Sequence, residues 1–136
     1  MIVNTAYAYM KQSISANPEI YNRGTINYEY ATSGAGTGVT IETDYIKFTS
    51  KNAYIEFYNV PLKSFTNLKL YNTYRTGLRA EYSITINNSE VGTLNFGNSS
   101  KELSIEIPDS LRVNNATIRV TKTIAGNSQL VYLIAY

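Results

Sequence analysis

The acids that could act in pairs in this chain are Asp44, Glu56, Glu81 and Glu90, and the glycines that could cradle a phosphate are those of GAGTG (34–38). Neither set is complete. Acid–base work on a glycosidic bond needs one carboxyl whose pKa is raised by an apolar pocket, and these four acids fall on alternating strand faces or in turns. GAGTG is followed by no lysine and leads into strand-like sequence, not a helix, so it is expected to be a flexible loop at a sheet edge. Histidine and cysteine are absent altogether. That excludes Ser-His-Asp and Cys-His catalysis, histidine-ligated metals, thiolate sites and disulfides. With nucleophile, base and metal ligands missing as sets, the chain is expected to be no enzyme and to carry no cofactor.

Whatever side chains do act must be positioned by strands. The 136 residues suffice for one domain with a real core, and 43% hydrophobic against 16% charged residues mark it as globular. Fifteen Asn, fifteen Thr, twelve Ser and thirteen Tyr are the composition of a β protein with uncharged outer faces. In RAEYSITIN (79–87), Ala80, Tyr82, Ile84 and Ile86 share one face, and Arg79, Glu81, Ser83 and Thr85 the other. ELSIEI (102–107) and NATIRVT (115–121) alternate in the same way, each with one dry and one wet face. Asn87-Asn88-Ser89 signals a hairpin into EVGTLNFG (90–97), and Pro108-Asp109-Ser110 and Gly126-Asn127-Ser128 mark later turns. Further strands are predicted at about 25–31, 38–42, 45–50, 53–59 and 66–72, with a weak helical candidate at 7–16. The sum is an all-β, antiparallel β-sandwich (jelly roll) over residues 21–136, preceded by an N-terminal arm, residues 1–20, for assembly or docking.

Two segments break the alternation. VYLIAY (131–136) is apolar on both faces, with Val131, Leu133 and Ala135 on one and Tyr132, Ile134 and Tyr136 on the other, so it should be covered on both sides. The cover is either the arm, a loop or another subunit. The arm itself carries Ile2, Val3, Tyr7, Tyr9 and Met10. Ile2, Val3, Tyr7, Tyr9, Val131, Leu133 and Tyr136 are therefore the expected assembly interface, and a homo-oligomer the expected state.

The net charge is +2, with Lys and Arg scattered singly, which argues against a nucleic-acid partner. The first residues, MIVNTAYAYMKQ, lack the basic and apolar regions of a secretory signal, and no 18-residue apolar run exists to span a membrane.

From about residue 24 onward the order of features resembles the carbohydrate-binding modules of families 6 and 35. Ile26-Asn27-Tyr28-Glu29-Tyr30 stands where their opening strand reads I-E-A-E-x-Y. Tyr54-Ile55-Glu56-Phe57, then Leu68-Lys69-Leu70 and the loop Asn72 to Leu78, follow their middle section. Ser83 to Thr93 (SITINNSEVGT) matches a strand–turn–strand unit, and Gln129-Leu130-Val131-Tyr132-Leu133 is similar to their last strand, N-L-D-Y-I. The resemblance implies a jelly-roll sandwich. It also implies a structural calcium held by two opening-strand carboxylates and the final-strand Asp, but Asn27 and Val131 replace two of those and leave Glu29 alone. Calcium wants six to eight oxygens, several anionic, so no metal is expected. Sugar binding in these families uses an aromatic platform, commonly with Trp, which this chain lacks. The positions that could stand in are Tyr30, near the first platform position, Gln129, where an Asn often bonds the sugar, and Tyr74 with Arg75 and Arg79 in TYRTGLR (73–79). Tyr beside Arg also suits a protein interface.

Composition, the absent export signal and the opening MIVNTAYAYM lead to the expectation of a non-enzymatic bacteriophage virion protein. It would be a capsid decoration, head fibre, tail or baseplate component, made in the host cytoplasm and partnered by other virion proteins. The alternative is a module recognising a host cell-surface polysaccharide; weak glycan binding is compatible with both.

Overall fold

The computed structural model describes residues 19–23, 25–26, 32–73, 79–97, 99 and 101–136. They form two antiparallel sheets. The strands in chain order are β1 (Glu19–Asn22), β2 (Thr25–Ile26), β3 (Thr32–Ala35), β4 (Val39–Ile41), β5 (Ile46–Phe48), β6 (Tyr54–Val60), β7 (Asn67–Thr73), β8 (Ala80–Ile86), β9 (Ser89–Gly97), β10 (Lys101–Glu106), β11 (Ala116–Lys122) and β12 (Ser128–Ala135). A single 3-10 turn, Asp109–Leu111, follows Pro108. The seven-stranded sheet runs β10-β7-β12-β1-β2, with β5 also paired to β12 and β4 to β5; the five-stranded sheet runs β3-β6-β11-β8-β9.

Alternation decides the layers. Ala80, Tyr82, Ile84 and Ile86 of β8 and Ala116, Ile118 and Val120 of β11 are fully buried, and they meet Leu68 and Leu70 of β7 and Leu130, Leu133 and Ala135 of β12 in one core. Burying the Leu, Ile and Val side chains among them is worth about 1.5–3 kcal/mol each, which is what holds the sheets face to face. Three aromatics lock one end: the Tyr82 ring lies 5.0 Å from Phe48 and 5.7 Å from Phe96. The β8–β9 hairpin turns where Asn87 and Asn88 adopt φ of 51° and 68°, a left-handed pair that Asn tolerates. Asn87 Oδ1 also accepts the Thr117 amide at 2.8 Å, tying the hairpin to β11.

Strand β12 is the spine of the seven-stranded sheet. On one side it pairs with β7 throughout; on the other it pairs with β5 up to Leu130 and with β1 from Tyr132. A bulge between Leu130 and Tyr132 accompanies that exchange of partners, and the Arg23 amide donates to the Val131 carbonyl at 2.9 Å beside it. The bulge takes Val131 out of the alternation expected for VYLIAY, which the residues from Tyr132 onward keep. Leu133 and Ala135 belong to the core with Leu130, whereas Val131 and Ile134 are buried outside that cluster. Leu133, expected at an assembly interface, points instead into its own sandwich, at 0% exposure.

Two boundaries differ from expectation. GAGTG is not wholly a loop: Gly34 and Ala35 end β3, an edge strand paired with β6. The sandwich begins before residue 21: β1 (Glu19–Asn22) pairs with β12, and its Ile20 and Tyr21 are both fully buried. Of the strand expected at 25–31, Thr25 and Ile26 form β2, and residues 27–31 lie outside the described residues.

Candidate functional site

Of the expected ligand-binding residues, Tyr30, Tyr74 and Arg75 lie outside the described residues, as do Glu29, the helical candidate and the arm residues Ile2, Val3, Tyr7, Tyr9 and Met10. Arg79 is exposed, and its carbonyl accepts from Lys122 Nζ at 2.8 Å. Gln129 is nearly buried, its Oε1 accepting from Thr73 Oγ1 at 3.0 Å. Among the expected interface residues, Val131 is buried and Tyr136 is 42% exposed.

The described side chains that converge on a surface do so on the outer face of the seven-stranded sheet. Leu68, Leu70 and Asn72 of β7 point inward, so Asn67, Lys69, Tyr71 and Thr73 point out. The registers then arrange this face in rows across β10, β7, β12 and β1. One row is Glu102, Tyr71, Tyr132, Asn22; the next is Ser104, Lys69, Ile134, Glu19. Beyond these, Glu106 and Tyr136 flank Asn67, and at the opposite end Thr73, Gln129 and Lys47 align.

Two tyrosines cross these rows. The Tyr132 hydroxyl donates to the Glu102 carboxylate, and the Tyr136 hydroxyl meets Ser104 Oγ at 3.0 Å. In both cases the anchor is on β10, two strands from β12. Adjacent strands are about 4.8 Å apart, so the tyrosine and its partner on β10 must together span about 10 Å sideways over β7. Only a ring lying along the sheet can do this. Tyr132 lies over Tyr71, ring centroids 5.5 Å apart and 17° from parallel. Lys69 Nζ stands 5.1 Å from the centre of the Tyr136 ring. Backbone bonds in both directions between Tyr136 and Asn67, each 2.9 Å, fix the second tyrosine from below. Asn22 Nδ2 donates to Glu19 Oε2 at 3.2 Å on the far rim.

The five-stranded sheet carries a different cluster on its outer face. Arg119 donates to Glu56 Oε2 through Nε (2.8 Å) and pairs with it through a terminal nitrogen (2.7 Å), while the Tyr58 hydroxyl donates to Glu56 Oε1 at 2.7 Å. The Tyr58 hydroxyl, with help from Arg119, holds the Glu56 carboxyl below its ordinary pKa, and Glu56 raises that of Tyr58 in return. The Tyr54 ring has the Arg119 guanidinium 4.1 Å over its centre, and Gly36 packs so closely against it that a Cβ there would sit 2.3 Å from a ring carbon. Both ring faces are taken, so this cluster is a brace between β6 and β11 and offers no free platform.

Between the sheets, one end of the core is polar. The buried Tyr82 hydroxyl donates to Asn72 Oδ1 at 2.7 Å and lies 2.7 Å from Ser128 Oγ; burial holds its pKa well above the usual phenol value. Lys122 is fully buried nearby on β11, and desolvation pulls its amine down to about 8. Among the described residues no group of acids or other ligands could hold a metal ion. No helix among them is long and apolar enough to cross a membrane.

The comparisons bear on the fold. No protein-family model matches the chain, and no curated protein matches it. Solved structures do. A family 29 carbohydrate-binding module from Piromyces equi superposes with a TM-score of 0.64 at 13% identity, covering 88% of each chain. A family 35 carbohydrate-binding module from Clostridium thermocellum gives 0.61 at 20% identity, covering 88% of this chain and 97% of that one. The CBM36-1 domain of a multidomain xylanase from the hindgut metagenome of Trinervitermes trinervoides gives 0.60 at 17% identity, covering 79% and 91%. At these identities the likeness shows a shared jelly-roll sandwich of the carbohydrate-binding-module type.

Proposed function

We propose that this chain is a non-catalytic glycan-binding module whose ligand rests on the outer face of the seven-stranded sheet. The observation that carries the reading is a pair of tyrosines, Tyr132 on β12 and Tyr136 directly after it, laid along the sheet by hydroxyls anchored on β10. A recumbent ring offers a flat apolar face to the C–H face of a sugar, and its fixed hydroxyl removes the ordering cost that a free tyrosine would incur on binding. Lys69, Thr73 and Ser104 supply hydrogen-bonding groups around the rings. The similar structures support the reading by analogy of fold, since they are carbohydrate-binding modules. The non-enzymatic part rests on the chain's chemistry: no histidine or cysteine is present, and the one carboxyl with a shifted pKa among the described residues, Glu56, is lowered, opposite to what a general acid needs.

The virion role rests on composition and on the opening residues alone, and the fold adds no observation that favours it over the glycan reading. A virion protein carrying this face would use it to hold a cell-surface glycan.

The test is a binding panel of soluble polysaccharides by affinity electrophoresis, followed by titration calorimetry of any hit. Tyr136→Ala, at an exposed position, should weaken the hit at least about tenfold, the scale of one anchoring aromatic, with an unchanged circular dichroism spectrum. A hit that binds the Tyr136→Ala and Tyr132→Ala proteins as tightly as the parent would remove the site from this face.

A further inference from the structure

Resting on that reading, we propose that the Tyr132–Tyr136 face selects uncharged glycan chains laid lengthwise along β12, with Lys69 as the central hydrogen-bond donor to sugar oxygens and the flanking carboxylates turning polyanionic chains away.

Direction follows from the rows. Tyr132 and Tyr136 are four residues apart on one strand, which places them about 13 Å apart along it. A single sugar cannot cover both rings, whereas a chain running parallel to β12 can. Crossing the strands would carry the ligand off the rings and over the charged borders, so the lengthwise path is the one that keeps both stacking contacts.

Charge follows from what borders that path. On the β10 side the outward residues are Glu102, Ser104 and Glu106, all exposed; on the β1 side stands Glu19, also exposed. A hydrogen bond from Tyr132 holds Glu102 in place without cancelling its charge, and Asn22 donates to Glu19. Among the described residues, the cation between the two rings is Lys69, opposite Ser104 and Ile134 in its row. It takes part in neither of the salt bridges formed among the described residues, Arg112 with Asp109 and Arg119 with Glu56. Its amine instead stands over the Tyr136 ring, a position that leaves its protons for neutral acceptors such as sugar hydroxyls or ring oxygens. An isolated lysine could equally read an acidic sugar. Here the charges of Glu102 and Glu106 flank it on its own side of the sheet, so every acidic unit that approached Lys69 would also approach carboxylates. Like charges repel, and a polyanion repeats that cost along its length.

Calorimetry with the intact protein distinguishes the outcomes. The neutral probes are cello-, xylo- and manno-oligosaccharides of increasing length, and the anionic probes are oligogalacturonides of matched length. The expected result is that at least one neutral series binds, that its affinity rises about tenfold or more with length until both rings are spanned, and that moderate salt leaves it unchanged. Tyr136→Ala should abolish the gain from length while sparing the shortest ligand that binds. Lys69→Met, which keeps the apolar stem, should weaken the neutral chain several-fold. Tighter binding of oligogalacturonides, with affinity falling as salt rises, would overturn the selectivity and leave the glycan reading intact. Affinity independent of length would overturn the lengthwise path. Failure of both series to bind would overturn both the selectivity and the glycan reading itself.

Discussion

Replacing Lys122 by methionine should make this protein more stable at neutral pH, although the lysine is well bonded. Lys122 ends β11 with no exposed surface, and its Nζ donates to a backbone carbonyl, that of Arg79, at 2.8 Å. Desolvation lowers its pKa from 10.5 to about 8. At pH 7 the amine is charged in both states, and the lowered value means that charge costs the folded protein about 3 kcal/mol relative to the unfolded chain. Methionine has a similar length and no charge to bury. It forfeits the bond to Arg79 and leaves that carbonyl to find another partner, a loss of about 1 kcal/mol. The net gain is about 2 kcal/mol. The sign with pH is an independent check. Because the folded pKa lies below the unfolded one, the folded state binds fewer protons between pH 8 and 10.5, and the parent protein's stability rises with pH across that window. The Tyr82 phenol, whose pKa is raised, works the other way once unfolded tyrosine begins to ionise near pH 10. The clean interval is therefore pH 8 to 10. Urea denaturation followed by circular dichroism should show the gap between Lys122→Met and parent narrowing from pH 7 towards pH 9.5 at a common m-value. A variant less stable than the parent at pH 7, with a gap that does not change with pH, would show that Lys122 is a net stabilising donor and that the cost of its burial is met by partners of another kind.

Two further outcomes concern the brace on the five-stranded sheet. Gly36→Ala should destabilise by about 1–3 kcal/mol, because the new methyl would meet the Tyr54 ring at 2.3 Å and displace it from beneath Arg119; urea denaturation and the near-ultraviolet tyrosine signal report both effects. Glu56→Gln should cost about 1 kcal/mol at neutral pH. Its parent carboxyl is held below 4.5 by the Tyr58 hydroxyl and by Arg119, so the contribution is complete above that pH and is lost as pH falls through the lowered value. The difference between parent and Glu56→Gln should accordingly shrink below pH 4.5, and a constant difference would point to packing instead of charge.

The strands that sequence anticipates well are those in which one face is dry. In β8 and β11 every second residue is buried, and the Asn87-Asn88 turn fixes their neighbourhood by its own backbone chemistry. Strand β3 escapes because TSGA has no apolar alternation to show; it is recruited at an edge by backbone bonds to β6. Strand β1 escapes for another reason. A register shift between Glu19 and Tyr21 buries two consecutive residues, Ile20 and Tyr21, which breaks the period on which strand recognition depends. The same device in β12 hides which of its apolar residues face the core.

Alternation in VYLIAY already groups Tyr132 and Tyr136 on one face but does not say that this face is outward, and each reads as one of thirteen tyrosines. The bulge supplies the extra residue by which β12 exchanges β5 for β1 as its neighbour, and from there Tyr132 and Tyr136 share the outer face in register with Tyr71 and Asn67. Two tyrosines four apart then mark not just a strand but a line along it, and the partners that lay them flat, Glu102 and Ser104, come from a strand two places away in the sheet and some thirty residues away in the chain. A loop search centred on Tyr74 and Arg75 could not reveal that line, because no spacing between adjacent motifs encodes it. The legible trace is the outward half of β10, where Glu102, Ser104 and Glu106 alternate with Leu103 and Ile105: a polar row of hydrogen-bonding groups on a strand whose neighbours carry aromatics. Where such a row stands two strands from a tyrosine, the ring between them has to lie down, and a surface tyrosine that only softens a wet face elsewhere becomes a platform.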